Sequence, residues 1–207
     1  MKPAALAPEQ ELAARDPKLG ALIARVGPFP IKAVRLVRPL DALARSITYQ
    51  QLSGKAAATI LGRVQALYPG RKYFSPELIL ATADENFRAA GLSRNKTAAL
   101  KDLAARTLDG TVPGHRALVR MGDEEIITRL TSVRGIGRWT VEMLLLFHLG
   151  RLDVWPVDDL GVRKGYARTY RKRVAPTPKE LVVIGERWRP YRSVAAWYFW
   201  RALEFPD

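Results

Sequence analysis

No cysteine occurs in the 207 residues, and there are only two histidines, His115 and His148. The first absence excludes disulfides, thiolate nucleophiles, cysteine-bound iron–sulfur clusters and zinc sites with sulfur ligands. Two isolated imidazoles make no histidine metal cage. No segment approaches eighteen consecutive apolar residues, and no basic stretch at the N-terminus leads into an apolar run, so the expectation is a cytoplasmic protein that does not span a membrane. Acidic residues are scarce as well: 20 Asp and Glu stand against 34 Lys and Arg, a formal charge of +14. An anionic partner follows, with nucleic acid first among the candidates. What is present in quantity is apolar, 48% of the chain against 26% charged. That composition belongs to a globular protein with one sizeable core or two packed halves.

The apolar residues fall mainly at helical spacings. In the first forty residues Pro3, Pro8, Pro17, Pro28, Pro30 and Pro39 break the chain into short pieces expected to wrap the rest. From Asp41, a candidate N-cap, to about Leu67 the residues Leu43, Ile47, Leu52, Ile60, Val64 and Leu67 recur among alanines, with Gly54 as a bend or junction. Ser75-Pro76-Glu77 has the chemistry of a helix start, another helix follows Thr82 as far as Gly91, and the next runs from Ser93 to Leu108. Further helices are expected over Asp123–Leu130, Thr140–Leu149, Leu160–Tyr170, Pro178–Trp188 and Arg192–Leu203. No series of alternating strands appears, so the fold class is mostly α. The domain reading is an N-terminal segment 1–40 packed on the remainder, a helical subdomain 41–122 and a second helical subdomain 123–207, joined near 108–122.

The most informative stretch is Leu130-Thr131-Ser132-Val133-Arg134-Gly135-Ile136-Gly137-Arg138-Trp139-Thr140. Two glycines around one apolar residue can make a tight turn between helices and leave backbone amides at a helix start to receive phosphate. The same pattern also serves an inert helix-to-helix turn. After Pro156, Asp158 and Asp159 open a helix; adjacent helical residues point in different directions, so one carboxylate can face a cleft while the other caps the backbone, or both can simply be first-turn charge. Five tryptophans (139, 155, 188, 197 and 200), with Tyr191 and Tyr198 among them, offer rings either to a core or to a stacked base. Trp188 and Trp197 are expected in the core. His115 reads as a loop residue, His148 as packed or hydrogen-bonded, and Asp153 as a turn or cap residue.

These segments, LTSVRGIGRWT, VDDLG (Val157 to Gly161) and ERWRPYRSVAAWYFW (Glu186 to Trp200), together with GLSRNKTAAL (Gly91 to Leu100), closely resemble the helix-hairpin-helix DNA glycosylases. The likeness is strongest to the DNA-3-methyladenine glycosylase II branch and runs from roughly Leu36 to Phe205, about four-fifths of the chain. The resemblance implies two packed helical subdomains with a cleft between them, and a monomer that binds double-stranded DNA containing damaged bases. It implies hydrolysis of the N-glycosidic bond of alkylated purines such as 3-methyladenine and 7-methylguanine after the base is flipped into a pocket. It places the catalytic carboxylate at Asp159, with Asp158 beside it as a cap. Trp139 and Trp200 become pocket rings, Tyr191 a further one, and Tyr49 and Gln50 approach the lesion from the opposite helical side. The implied phosphate contacts are Arg134, Gly135, Gly137, Arg138 and Thr140 in the hairpin, with Arg163, Lys164 and Arg168 along the helix after Asp159. No cofactor is required, and a structural Na⁺ or K⁺ on the carbonyls of Thr131, Val133 and Ile136 is the one metal implied.

Two departures from relatives matter. Bifunctional members of the superfamily carry a nucleophilic lysine where this chain has Trp139, and an indole cannot form a Schiff base with the sugar. Lys96 and Lys164 read as solvated or phosphate-facing charges instead. Larger enzymes of the branch carry an additional N-terminal β-containing domain, whereas only about forty residues precede Asp41, so a compact variant is expected. The rival readings are a noncatalytic DNA-binding protein that kept the hairpin and a glycosylase acting on another damaged base.

Overall fold

A computed structural model describes residues 6–30 and 38–205. Pro3 and Leu36 lie outside the described residues. Among those described there is no strand, and no helix is long and apolar enough to cross a membrane. Helices α1 (Pro8–Arg15) and α2 (Pro17–Val26) come first, then α3 (Pro39–Tyr49), α4 (Gly54–Ala66), α5 (Pro76–Ala81) and α6 (Asp84–Ala89). They are followed by α7 (Arg94–Leu108), α8 (His115–Arg120), α9 (Asp123–Leu130) and α10 (Arg138–Met143). A π-helical turn, Leu144–His148, precedes α11 (Leu160–Thr169) and α12 (Pro178–Gly185); a 3₁₀ turn, Glu186–Trp188, precedes α13 (Arg192–Ala202).

Pro8, Pro17 and Pro39, read from the sequence as breaks, act here as starts, and Pro76 and Pro178 start helices as expected. Pro8, Pro17, Pro39, Pro76 and Pro178 each sit in the first turn of a helix, where the missing N–H is one that the helix could not use and φ is already helical. This moves the expected cap of α3. With Pro39 in its first turn the cap position falls to Arg38, and Asp41 instead accepts the Phe74 amide at Oδ1, 2.8 Å away. His115 is likewise not a loop residue but the first residue of α8, because Gly114 takes the cap. Ser53, Ser75 and Ser93 do cap α4, α5 and α7 through their hydroxyls. The helix expected over Thr140–Leu149 starts two residues earlier and gives way to the π turn after Met143.

The chain forms two compact units: Met1–Val34 with Leu145–Asp207, and Arg35–Leu144. The join therefore differs from the one expected near 108–122, and the hairpin belongs to the central unit. The reason is visible in α9, where Arg129 donates from Nε to the Thr111 carbonyl (2.9 Å) and from Nη2 to that of Gly110 (2.7 Å), fastening α9 to the turn that ends α7. Within this unit α7 is the central rod; α3, α5 and α6 pack on it, burying Leu43, Ile47, Ile79, Phe87, Leu100 and Leu103.

The other unit joins the two ends of the chain. Helix α13 packs against α11, α2 and α1 around an aromatic cluster of Trp155, Tyr166, Tyr170, Trp188, Tyr198 and Phe199. Trp188 is in the core as expected; Trp197 is partly buried at its margin, edge-on to Phe29. One carboxylate is buried with these rings. Asp16 caps α2 through the Leu19 amide (3.2 Å), and its Oδ2 accepts the Tyr170 hydroxyl and the Trp188 indole N–H (3.2 Å). Asp153 is also more than a turn residue, for it takes charged hydrogen bonds from Arg189 (2.8 Å) and Arg192 (2.7 Å), tying the loop before α13 to the segment before α11.

Burial pushes the Asp16 pKa up, but the hydrogen bonds from Tyr170, Leu19 and Trp188 and the Arg187 charge outweigh it, leaving the group below its usual value. A carboxyl whose folded pKa is depressed contributes stability above its unfolded pKa and loses it as pH falls through the folded value. Asp16→Asn is therefore expected to lower stability by about 1–3 kcal/mol at neutral pH. In urea melts from pH 7 down to pH 3, the gap between variant and wild type should narrow below about pH 4.

Candidate functional site

Asp159 sits at the cap position of α11 and Asp158 is the exposed residue before it, so the capping role expected of Asp158 falls on Asp159. Asp159 Oδ1 accepts the Val162 amide at 2.8 Å and the Trp200 indole N–H at 2.8 Å. Two donors at one oxygen fix the carboxylate plane. Trp200 is in turn stacked on Phe147 of the π turn, with ring centroids 5.6 Å apart and planes 26° from parallel. A half-buried carboxylate beside two stacked rings is an arrangement that stabilises cationic charge.

What lets these groups meet is the absence of side chains opposite them. A β-carbon on Gly161 would lie 2.8 Å from Trp200 Cδ1 and 3.0 Å from Asp159 Oδ1. One turn on, a β-carbon on Gly165 would lie 1.9 Å from the Phe199 carbonyl oxygen, so α11 and α13 approach backbone to backbone. In the sequence Gly161 stands unremarked within VDDLG. Its signal was a glycine pair at i, i+4 on one helix face, tolerable at about 1 kcal/mol each only where close packing requires it.

Tyr191, expected as a further ring, stands at the start of α13 and donates its hydroxyl to Glu11 Oε1 at 3.2 Å, a tie to α1. Arg163 donates from Nε to the Pro176 carbonyl at 2.7 Å, which makes it a strut of the loop before α12. Lys164 is exposed and has no ion pair among the described residues.

In the central unit the hairpin joins α9 to α10. Gly135 has φ +75°, a left-handed conformation that glycine adopts without strain, and a β-carbon there would lie 3.1 Å from that of Ala99. Gly137 needs no such conformation; it caps α10 and opens the helix start whose first amides lack intrahelical acceptors. Val133 and Ile136 point inward and are buried, so the hairpin rests on its apolar residues while Arg134, Gly135 and Gly137 remain exposed. Thr140 is buried, leaving its backbone as the part near the helix start. Arg138 is held on both sides, by Glu124 (Nη1 to Oε2, 3.0 Å) and by the buried Glu142 (Nε to Oε1, 3.1 Å), and its guanidinium is thereby committed to the hairpin itself. Trp139 is 47% exposed, high for an indole.

Tyr49 ends α3 with the Arg45 guanidinium 4.0 Å over its ring, and Gln50 donates from Nε2 to the Gly135 carbonyl at 2.8 Å. Both thus stand beside the hairpin. Lys96 is not a solvated charge; its ammonium donates to the Thr48 and Gln50 carbonyls at 2.9 and 2.7 Å. Asp102, unremarked in the sequence, accepts the Arg134 amide at 2.8 Å. For a cation, the Thr131, Val133 and Ile136 carbonyls are donors of the hard, neutral kind that alkali ions take; that of Val133 already accepts the Ile136 amide at 3.1 Å and keeps a second lone pair. No cluster of three or more acidic or histidine side chains suited to a metal occurs among the described residues.

Residues 44–190 match the model for HhH-GPD superfamily base excision DNA repair proteins. The chain is 38% identical over 200 residues to DNA-3-methyladenine glycosylase 1 of Schizosaccharomyces pombe, across 96% of this chain and 88% of the relative. Its structure is similar to that of the S. pombe 3-methyladenine DNA glycosylase in complex with abasic DNA (TM-score 0.87, 37% identity, 97% and 98% of the two chains). It is also similar to a DNA-3-methyladenine glycosidase from Bacillus halodurans (TM-score 0.83, 34% identity, 95% and 89%).

The crowding at Gly161 has a measurable sign. At an open helical position Gly→Ala stabilises by up to about 1 kcal/mol. Gly161→Ala is instead expected to destabilise by about 1–3 kcal/mol, because Trp200 must move off Asp159. Urea melts and the near-ultraviolet circular dichroism of the indole check it.

Proposed function

Since the chain belongs to the HhH-GPD superfamily of base excision DNA repair proteins, we propose that it is a monofunctional DNA glycosylase releasing alkylated purines, 3-methyladenine and 7-methylguanine among them, and leaving an abasic site. The observation that carries the reading is the carboxylate of Asp159, fixed at one oxygen by the Trp200 indole and the start of α11 and set beside a stacked pair of rings. A protein that only held phosphate would have no use for a fixed negative charge among aromatic rings.

Alkylation at N3 of adenine or N7 of guanine makes the base cationic, so the bond from C1′ to the purine nitrogen breaks with its electron pair passing to the base, which leaves neutral. Positive charge then develops on the sugar. The Asp159 carboxylate stabilises that charge and orients the water whose oxygen bonds to C1′ as its proton passes to the carboxylate and on to solvent. Electron-rich rings favour a cationic purine over its neutral counterpart, and the Trp200 indole, stacked on Phe147 and bonded to Asp159, is assigned to that work; Trp139 and Tyr49 are further rings that the resemblance to the family assigns to the base. With Trp139 in the position that bifunctional relatives fill with lysine, no amine is offered to the sugar and water is the acceptor.

Double-stranded DNA is held by the exposed amides of the hairpin around Gly135 and Gly137, with Arg134 and Lys164 as the uncommitted cations. Arg138 braces the hairpin through Glu124 and Glu142, and Arg163 braces the loop before α12. A single copy of the chain supplies both the carboxylate and the hairpin, which supports a monomer. The carbonyls of Thr131, Val133 and Ile136 would hold any structural Na⁺ or K⁺ and stiffen the hairpin against phosphate.

The test is release of 3-methyladenine and 7-methylguanine from methylated duplex DNA. Wild type is expected to release both, and folded Asp159→Asn to do so about a hundredfold or more slowly with DNA affinity retained. Borohydride should trap no covalent complex; trapping would overturn the hydrolytic reading. Arg134→Ala and Lys164→Ala are each expected to lower the slope of log affinity against log salt by about 0.9, measured by fluorescence anisotropy on undamaged duplex.

A further inference from the structure

Lys96 is a cation near the hairpin that the mechanism above does not use. On α7 it lies in line with Ala99 and Asp102, at i, i+3 and i+6 on one helix face. All three face one junction. Lys96 Nζ donates to the carbonyls of Thr48 and Gln50, where α3 ends. Ala99 is the surface on which Gly135 rests, and Asp102 accepts the Arg134 amide at 2.8 Å. The circuit is closed by Gln50, whose side chain donates to the Gly135 carbonyl at 2.8 Å.

The turn that Lys96 holds is not a relaxed one. Gln51, directly after Gln50, has φ +56°, which a residue with a β-carbon adopts only where its surroundings require it, and Leu52 beside it is 40% exposed. An ammonium donating to the last carbonyls of a helix also interacts favourably with the negative helix end, so a single side chain both terminates α3 and fixes the turn. A lysine performing only solvation would not place its charge between two carbonyls.

We propose that Lys96 is a positioning residue of the glycosylase: it couples the Tyr49–Leu52 turn to the DNA-docking hairpin, so that seating the hairpin on phosphate sets the turn in register with the lesion. The proposal rests on the reading of the hairpin as the DNA-docking element. Lys96 itself touches no DNA. Its ammonium stays on the two carbonyls, and its effect passes through Gln50 to Gly135.

The experiment is amide hydrogen exchange of wild type, Lys96→Met and Lys96→Arg, each with and without an undamaged duplex, alongside single-turnover release of 3-methyladenine. In wild type the duplex should slow exchange at both the hairpin and the Tyr49–Leu52 turn. In Lys96→Met it should slow the hairpin alone, with duplex affinity within about threefold of wild type and base release slowed about tenfold or more, since small misplacements near a reacting centre are costly. Lys96→Arg, which keeps a donor at the carbonyls, should recover both. Protection of the turn in Lys96→Met equal to wild type would overturn the coupling, as would parallel loss of hairpin protection and affinity, the signature of general destabilisation. If Lys96→Met does not fold, Gln50→Ala cuts the same link from its other end and must uncouple the turn in the same way. The exchange readout needs no base release, so a chain that binds duplex but releases no alkylpurine would overturn the glycosylase reading and leave the coupling result intact.

Discussion

A helix packed on another with no side chain between them cannot slide or rotate without a backbone collision, and that constraint governs the surroundings of Asp159. Gly165 brings α11 against the main chain of α13 at Phe199, and Gly161, one turn earlier, leaves the gap into which the Trp200 indole fits. The hydrogen bond from Trp200 to Asp159 is the product of these two approaches rather than of side-chain flexibility. Because the same Asp159 oxygen also caps α11, the carboxylate is fixed to the end of the rigid helix it belongs to. Its direction is therefore a property of the backbone, and the surrounding rings need only supply polarisable surface.

The hairpin is held by a different kind of force. Its two apolar residues, Val133 and Ile136, are buried, but its outline is fixed by polar groups from other elements: Asp102 at the Arg134 amide, Gln50 at the Gly135 carbonyl, and Glu124 and Glu142 on the Arg138 guanidinium. An excess of cations is no help to a turn that must remain in shape when no phosphate is present. The scarce carboxylates are used there, so the positive charge of the hairpin is organised by negative charge beside it.

Much of this was legible in the sequence. The helical spacing, the serine caps and the order of hairpin, carboxylate and aromatic helix are local patterns, and α9 appears over the residues its periodicity indicated. Side chains whose work was hidden have partners outside their own stretch of chain, whereas Asp41, His115 and Asp158 were displaced by where the helices begin. Lys96 and Arg163 look like surface charges until the carbonyls of Gln50 and Pro176 are placed beside them, and Asp16 has no visible purpose until Tyr170 and Trp188 arrive. Asp158 was a fair choice for the cap on residue type alone; only the backbone shows that the helix begins after Asp159. The position of the join between units was similarly hidden, since a hydrogen bond from Arg129 to Thr111 leaves no trace in composition.

The buried Asp16 has a consequence for how the molecule is made. Its partners lie 154 and 172 residues downstream, and the unit they close is assembled from both ends of the chain around a central one that is continuous. During synthesis from the N-terminus, the continuous unit has all its residues before most of the discontinuous one has been made. Helices α1 and α2 must wait, without their aromatic floor, until α13 leaves the ribosome. The hairpin is thus built first and the setting of Asp159 last, so a chain interrupted during translation carries the former without the indole that fixes the latter.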